Sequence, residues 1–324
     1  MPPRPRLLLA DDHVPLLESV RHLLAPAFDI VGVARDGREA LELAGRVRPD
    51  VVVLDVTMPE LNGFQTVGPL LKDCPGTKVV FLTMHGEDDF VVEAMTAGAH
   101  GYVLKSRLHL DLIGAINHAL AGRLFVPSLT SLSTVAGNAH AVQFHTGDND
   151  YLDEASRLIG ATLRSGEQVV MLASEATRIR VVQRLEARQV DLATLAERGQ
   201  FLAHDSALGL SHVIVDGRPD KGQLDRVIDD LNRFRVAGPN GDRGRLTVFG
   251  DVSGSLCAKG EFEAGRELEQ IWNELTRPLP FFTVCSYSID CFAHADASLD
   301  FANVCAEHTA VTSATFAQRS LDIN

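Results

Sequence analysis

The feature that most restricts the fold lies in the first 121 residues. Five short apolar runs, "RLLLA", "IVGVA", "VVVLD", "KVVFLT" and "GYVLK", alternate there with stretches such as "VPLLESVRHLL", "GREALELAGRV" and "DDFVVEAMTAG". The intervening stretches carry apolar residues at helical spacing, so the alternation predicts βα repeats around a parallel sheet with helices on both faces. Ligands of such sheets bind beyond the carboxyl ends of the strands. The residues that close each run are therefore the first candidates for chemistry.

Asp11 and Asp12 follow the first run, Asp55 ends the third, Thr83 the fourth and Lys105 the fifth. A lone acid at a strand end is ordinarily a turn or cap residue, but the joint pattern needs another account. Converging carboxylates repel and raise one another's pKa values. A hard divalent cation with oxygen ligands relieves that repulsion, and Mg2+ is the natural case. With the charge of Lys105 and the hydroxyl of Thr83 added, the set suits receipt of a phosphoryl group on a carboxylate.

The motifs "LLADDH", "VVLDVTMPELNG", "VVFLTMH" and "GYVLKS" resemble the receiver domain of two-component response regulators, from Met1 to about Ala121. The resemblance implies a flavodoxin-like fold of strand order 2-1-3-4-5 and a partner histidine kinase. It makes Asp55 the phosphoacceptor. Asp12, Asp55 and the Thr57 backbone carbonyl would bind Mg2+, and Asp11 would support the ion. Thr83 and Tyr102 would be the switch residues, Tyr102 turning inward on phosphorylation, and Lys105 would pair with the phosphate. Pro59 and Gly63 fit the loop after the acceptor.

The segment "GRLFVPSLTSLSTVAGN" is rich in Ser, Thr and Gly without an amphipathic period, and reads as a linker with Leu124 and Phe125 tucked against the receiver-like half. A second α/β pattern begins at "HAVQFH" and continues through "EQVVMLA", "GQFLAHD", "RLTVFG" and "PFFTVCS". Between these lie helical stretches, of which "YLDEASRLIGATLRS" carries Tyr151, Leu152, Ala155, Leu158, Ile159 and Thr162 as one stripe. The turn "HTGDNDYLDEA" has one glycine and no lysine where a phosphate-binding loop would need two glycines and Lys-Ser/Thr. Its acids would meet a nucleotide phosphate with like charge, and Asp148 or Asn149 reads as a helix cap.

Residues from about His140 to Val311 resemble the MEDS sensory domain of DcmR-type regulators, through "HAVQFHTGDNDYLDEASRLIGATLRSGEQVVML", "VDGRPD", "LEQIWNEL", "TVCSYSID" and "VCAEHTAV". The resemblance implies a RecA/KaiC-like core without nucleotide machinery, sensing a small and hydrocarbon-like molecule. It also favours helix over strand in "ALGLSHVIV", which periodicity leaves ambiguous. A ligand pocket near His145, Asp148, Asp251, Cys285 and His308 follows as an expectation. Asp251 reads as an Asx-type cap in "DVSG". A zinc set of Cys285, Cys291, Cys305 and His308 matches no compact ligand pair except the C-x2-H of Cys305 and His308, so buried thiols with a polar helix-end histidine are the plainer reading.

A net charge of -13 argues against general nucleic-acid binding, which needs a basic face. Nothing downstream of the receiver-like half reads as a helix-turn-helix. "LLLA" is too short for a signal-peptide core, and no run spans a bilayer. The five cysteines then read as reduced cytosolic thiols, and the protein as cytoplasmic. The expected division is a receiver at 1–121, a linker at 122–139, a MEDS-like domain at 140–312 and a tail at 313–324. The expected protein is a response regulator, itself not an enzyme beyond slow autodephosphorylation. It would act through a small ligand or a protein partner, with no nucleic-acid or membrane partner and a homodimer left open. Its rivals are a receiver-controlled RecA/KaiC-type nucleotide-binding enzyme and a transcriptional regulator.

Overall fold

The computed structural model describes residues 3–135, 138–145, 148–235, 244–292 and 297–312. It divides into two compact units, Met1–Pro127 and Ser128–Asn324. The first unit runs β1 (Arg6–Ala10), α1 (Val14–Leu24), β2 (Asp29–Ala34), α2 (Gly37–Val47), β3 (Val51–Leu54) and α3 (Gly63–Asp73). It continues with β4 (Lys78–Thr83), α4 (Asp88–Thr96), β5 (Gly101–Leu104), α5 (Leu108–Leu120) and β6 (Leu124–Val126). Its strands lie in the order β2-β1-β3-β4-β5-β6, and every pair is parallel. All four residues of β3 are buried, as are Leu7 to Ala10 of β1. Such unbroken apolar runs belong to parallel strands covered on both faces.

The segment expected as a linker is structured. Gly122, at φ +75, closes α5, and Leu124–Val126 then joins the sheet beside β5, where the Phe125 N–H donates to the His100 carbonyl at 2.9 Å. Phe125, Val126, Leu129 and Leu132 are buried. Burial of these four gives the segment its structure despite its Ser/Thr-rich composition.

The second unit opens with α6 (Leu129–Val135), β7 (His140–His145), α7 (Asp148–Arg164), β8 (Gln168–Ala173), α8 (Glu175–Ala187) and α9 (Leu192–Glu197). Then come β9 (Phe201–Asp205), α10 (Ser206–Val213), β10 (Ile214–Val215), β11 (Arg218–Pro219) and α11 (Lys221–Phe234). The last elements are β12 (Leu246–Gly250), α12 (Val252–Ala258), α13 (Phe262–Thr276), β13 (Phe281–Ser288), α14 (Ala297–Ala306) and β14 (Ala310–Thr312). The main sheet has the order β14-β7-β13-β12-β8-β9 and is parallel throughout. The whole predicted stripe of α7, from Tyr151 to Thr162, is buried. The ambiguous "ALGLSHVIVDGRPD" resolves into both forms. Asp205 caps α10 by accepting from the Ala207 and Leu208 N–H groups. A two-strand hairpin then turns through Asp216 (φ +50) and Gly217 (φ +78), the conformation that favours Asp-Gly.

Gly63 sets how closely α3 approaches the loop after β3. A Cβ there would stand 2.4 Å from the Asp55 carbonyl oxygen and 2.7 Å from Phe81 Cε1. The Asn62–Gln65 capping box fixes the same helix end. Gly63→Ala is therefore expected to destabilise the first unit by about 1–3 kcal/mol, the usual range for overpacking, read as a lower urea midpoint with unchanged slope.

Candidate functional site

In the first unit, β1, β3 and β5 all end at the carboxyl edge of the parallel sheet, with β4 between β3 and β5, and the residues at those ends meet there. Asp11 and Asp55 are buried and Asp12 is exposed. Carboxylate oxygens of all three lie within 4.8 Å of one another. Lys105 Nζ bridges two of them, 2.7 Å from Asp11 Oδ2 and 2.9 Å from Asp55 Oδ2. Asp11 Oδ1 also accepts from the His13 N–H at 2.8 Å, which orients it.

Burial raises the Asp55 carboxyl above the ordinary range, and Asp11 adds to the rise; Lys105 and the Thr57 N–H oppose it. Burial works against the charge on Lys105 too, but its bonds to Asp11 and Asp55 outweigh that and hold it above its usual value. Three carboxylates against one ammonium leave the pocket with excess negative charge. Every donor is oxygen, so the set fits a hard divalent cation better than a soft one.

Thr83 is buried at the end of β4 and its Oγ1 accepts from the His85 N–H at 3.2 Å. Tyr102 is fully buried, and its hydroxyl donates to the His85 carbonyl at 2.8 Å. Expected to turn inward on phosphorylation, Tyr102 already stands inward here. His85 is thus held at both backbone atoms by the two switch candidates, and its ring stacks on Phe90 of α4 at 4.4 Å. Thr57 is exposed beside them, its Oγ1 3.4 Å from His85 Nε2.

Among the residues expected near a pocket in the second unit, Cys285 and His308 lie together, while His145 and Asp251 have contacts of their own. His145, at the end of β7, stacks on Tyr151 at 4.4 Å. Thr146 and Gly147 of the following turn lie outside the described residues, as does the side chain of Asp148, which begins α7. Asp251 stands at the start of α12 but makes no side-chain cap bond; its Oδ2 accepts from the Ser174 N–H at 3.2 Å. That contact ties the ends of β12 and β8, so the Asx-cap reading gives way to a strand-bridging one. Cys285 and His308 do meet, but not with Cys291 or Cys305. Their companions are His140 and Glu269, and ligand atoms of these four lie within 4.8 Å of one another.

Sequence spacing concealed this group, because its members come from β7, α13, β13 and the turn before β14. One signal was readable. Glu269 is an acid on the buried stripe of α13, with Ala264, Gly265 and Leu268, and it is only 2% exposed. The Tyr287 hydroxyl donates to Glu269 Oε1 at 2.6 Å. Burial alone would raise this carboxyl; the facing His140 and His308 and the Tyr287 hydroxyl outweigh it and hold it low. Burial also drives His308 down to about 4 and the Cys285 thiol well up.

Two family models match the chain. Residues 7–117 match the response regulator receiver domain, and residues 139–305 match MEDS, the methanogen/methylotroph, DcmR sensory domain. Among curated proteins, the uncharacterized transcriptional regulatory protein YxjL of Bacillus subtilis (strain 168) is 34% identical over 140 residues, 43% of this chain. The chain spans 64% of that protein, less than two thirds of its length. Response regulator GacA of Pseudomonas aeruginosa is 30% identical over 205 residues, 60% of this chain and 95% of that protein. A crystal structure of a two-component response regulator of the LuxR family from Aurantimonas sp. SI85-9A1 is 33% identical. It covers 41% of this chain and 95% of its own, with a TM-score of 0.38.

The raised Asp55 carboxyl has a consequence for stability. Without divalent cation, the folded chain binds the Asp55 proton more tightly than the unfolded chain does. The stability this supplies is present below the ordinary Asp value and is lost as pH rises through the raised one. Asp55→Asn cannot titrate there. Urea midpoints in chelator should therefore shift in favour of Asp55→Asn as pH rises through that window, then hold a constant offset above it. An offset that shrinks with rising pH contradicts the assignment.

Proposed function

Because the chain belongs to the response regulators through its receiver domain and to the MEDS family over half its length, we propose that Asp55 accepts a phosphoryl group from a partner histidine kinase and that the MEDS domain carries the response. The observation that carries this reading is the bridging of buried Asp11 and Asp55 by Lys105 at 2.7 and 2.9 Å. An Asp55 carboxylate oxygen attacks phosphorus as the phosphohistidine P–N bond breaks, forming an acyl phosphate. Asp12 and Asp55, with the Thr57 carbonyl and support from Asp11, would hold Mg2+. When bound, the ion offsets the charge of the phosphoryl oxygens and of the acids around them. Lys105 exchanges its carboxylate partners for a phosphate oxygen, and Thr83 donates its hydroxyl to another. Thr83 then leaves the His85 N–H, which frees the loop before α4 to reset while Tyr102 keeps its hold on the His85 carbonyl.

The MEDS domain acts here as a small-ligand or protein-contact module. An apolar cavity of about 120 Å³ supports the ligand reading, with Leu172, Val213, Leu224, Val248, Leu268 and Trp272 in its lining. A cavity of about 150 Å³ with such walls stays dry and takes up benzene, so the occupant would be a molecule of a few heavy atoms. The transcriptional roles in relatives' names belong to those proteins. No helix among the described residues is long and apolar enough to cross a membrane.

Acetyl phosphate with Mg2+ should label the wild type once, on Asp55. Asp55→Ala should lose the label, and wild type in chelator should lose most of it; equal labelling of the variant overturns the assignment. The MEDS domain should not use ATP, given the acids and missing lysine of "HTGDNDYL". Calorimetry of the full chain with Mg-ATP should give no dissociation constant near micromolar, about -8 kcal/mol. Such an affinity would favour the nucleotide-dependent reading instead.

A further inference from the structure

On the face of the second sheet covered by α13, alternate residues of β13 meet that helix in turn. Trp272 Nε1 donates to Thr283 Oγ1 at 3.1 Å, Cys285 Sγ lies 3.6 Å from Glu269 Oε2, and Tyr287 bonds Glu269 Oε1. The register pairs Thr283 with His140, so Cys285 stands two residues further along the same face. His140 Nε2 lies 3.1 Å from Cys285 Sγ and 3.1 Å from Glu269 Oε2. His308 Nε2 lies 3.8 Å from the same oxygen.

The orientation of both imidazoles is fixed from behind. His308 Nδ1 faces the Val304 carbonyl at 2.6 Å, which can only accept, so Nδ1 carries the hydrogen. Asn273 donates its amide to the Glu307 carbonyl at 2.7 Å, which turns Oδ1 toward His140 Nδ1 at 2.7 Å. His140 Nδ1 is then a donor as well. In the neutral rings both Nε2 lone pairs therefore point inward, toward a carboxylate oxygen and a sulfur. His308 Nε2 is buried and makes no hydrogen bond. A convergence of lone pairs in a buried site calls for a cation among them.

We propose that His140, Glu269, Cys285 and His308 form a metal site of the MEDS domain, built for a borderline divalent cation such as Zn2+. Zn–N, Zn–O and Zn–S bonds of about 2.0–2.3 Å in a tetrahedron put neighbouring donors about 3.3–3.8 Å apart. Four of the six donor pairs, at 3.1, 3.1, 3.6 and 3.8 Å, need shifts of only a few tenths of an ångström, and the two pairs that join His308 to His140 and Cys285 lie within 4.8 Å. Two imidazole nitrogens, one carboxylate oxygen and one sulfur form a softer set than the all-oxygen receiver pocket, so the two sites select different ions. Asn273, Val304 and Tyr287 orient three of the ligands, the arrangement that metal sites use behind their donors. Entry runs through a cleft of about 430 Å³ lined by His140, Asn273, Glu307 and His308. Cys285 would enter as thiolate and release its proton to solvent. Glu269 and Cys285 also border the apolar cavity, so the ion would stand at its wall.

The test uses the full chain, stripped with chelator and returned to excess Mg2+ to saturate the receiver pocket. Titration with Co2+ should give one equivalent bound per chain and an intense thiolate-to-cobalt charge-transfer band, which Zn2+ then bleaches. Cys285→Ser should lose the band, whereas Asp55→Asn should keep it. Asn273→Ala, which removes only an orienting group, should weaken Zn2+ binding about 10–100-fold. Zinc content of unstripped wild type should be near one per chain, a measurement that needs no variant to fold. Failure of folded wild type to develop the band at saturating Co2+, or an equal band in Cys285→Ser, overturns the proposal.

Discussion

Two carboxylates buried at the end of an apolar parallel sheet can persist only if their charge is shared, and in the receiver unit one ammonium does this. Lys105 follows β5 at the same carboxyl edge of the sheet where Asp11 and Asp55 follow β1 and β3, and its side chain reaches past the end of β4 to both acids. The rest of the unit is arranged around that contact. Gly63 lets α3 close against the Asp55 loop, and Thr83 and Tyr102 grip the two ends of the His85 backbone. Charge left over by the single cation gives the pocket its appetite for a further positive partner.

The MEDS unit meets the same difficulty with different chemistry. Its most deeply buried acid among the described residues, Glu269, is answered by imidazoles and a phenol instead of an ammonium. The receiver acids sit at strand ends, open to exchange of their partners. Glu269 instead lies under a helix, with its neighbours fixed from behind. The first arrangement suits a transient modification and the second a resident group.

The βα order of both units was legible because their central strands are buried on both faces and so appear as unbroken apolar runs. Asp11, Asp12, Asp55, Thr83 and Lys105 stood out because polarity at the ends of such runs is conspicuous. The segment after α5 is less legible beyond the packing of Leu124 and Phe125. Its four buried apolar residues are scattered among Ser, Thr and Gly, and β6 takes its structure from pairing with β5 instead of from any local period. The His140–Glu269–Cys285–His308 group was half seen. Cys285 and His308 stand out in the sequence but their companions His140 and Glu269 do not, since ligand spacing along a chain says nothing about residues joined by a sheet register.

Strand β6 bears on where the receiver unit can be cut. A fragment ending at Ala121, where the receiver-like text stops, would shed the strand that lies beside β5. It would uncover apolar surface now under Phe125 and Val126 and remove two partners of His118, whose ring stacks on Phe125 at 6.0 Å and accepts from Arg123 Nε at 3.2 Å. The bared backbone of β5 would be a template for self-association. A fragment carried through Pro127, the end of the compact unit, keeps that flank covered.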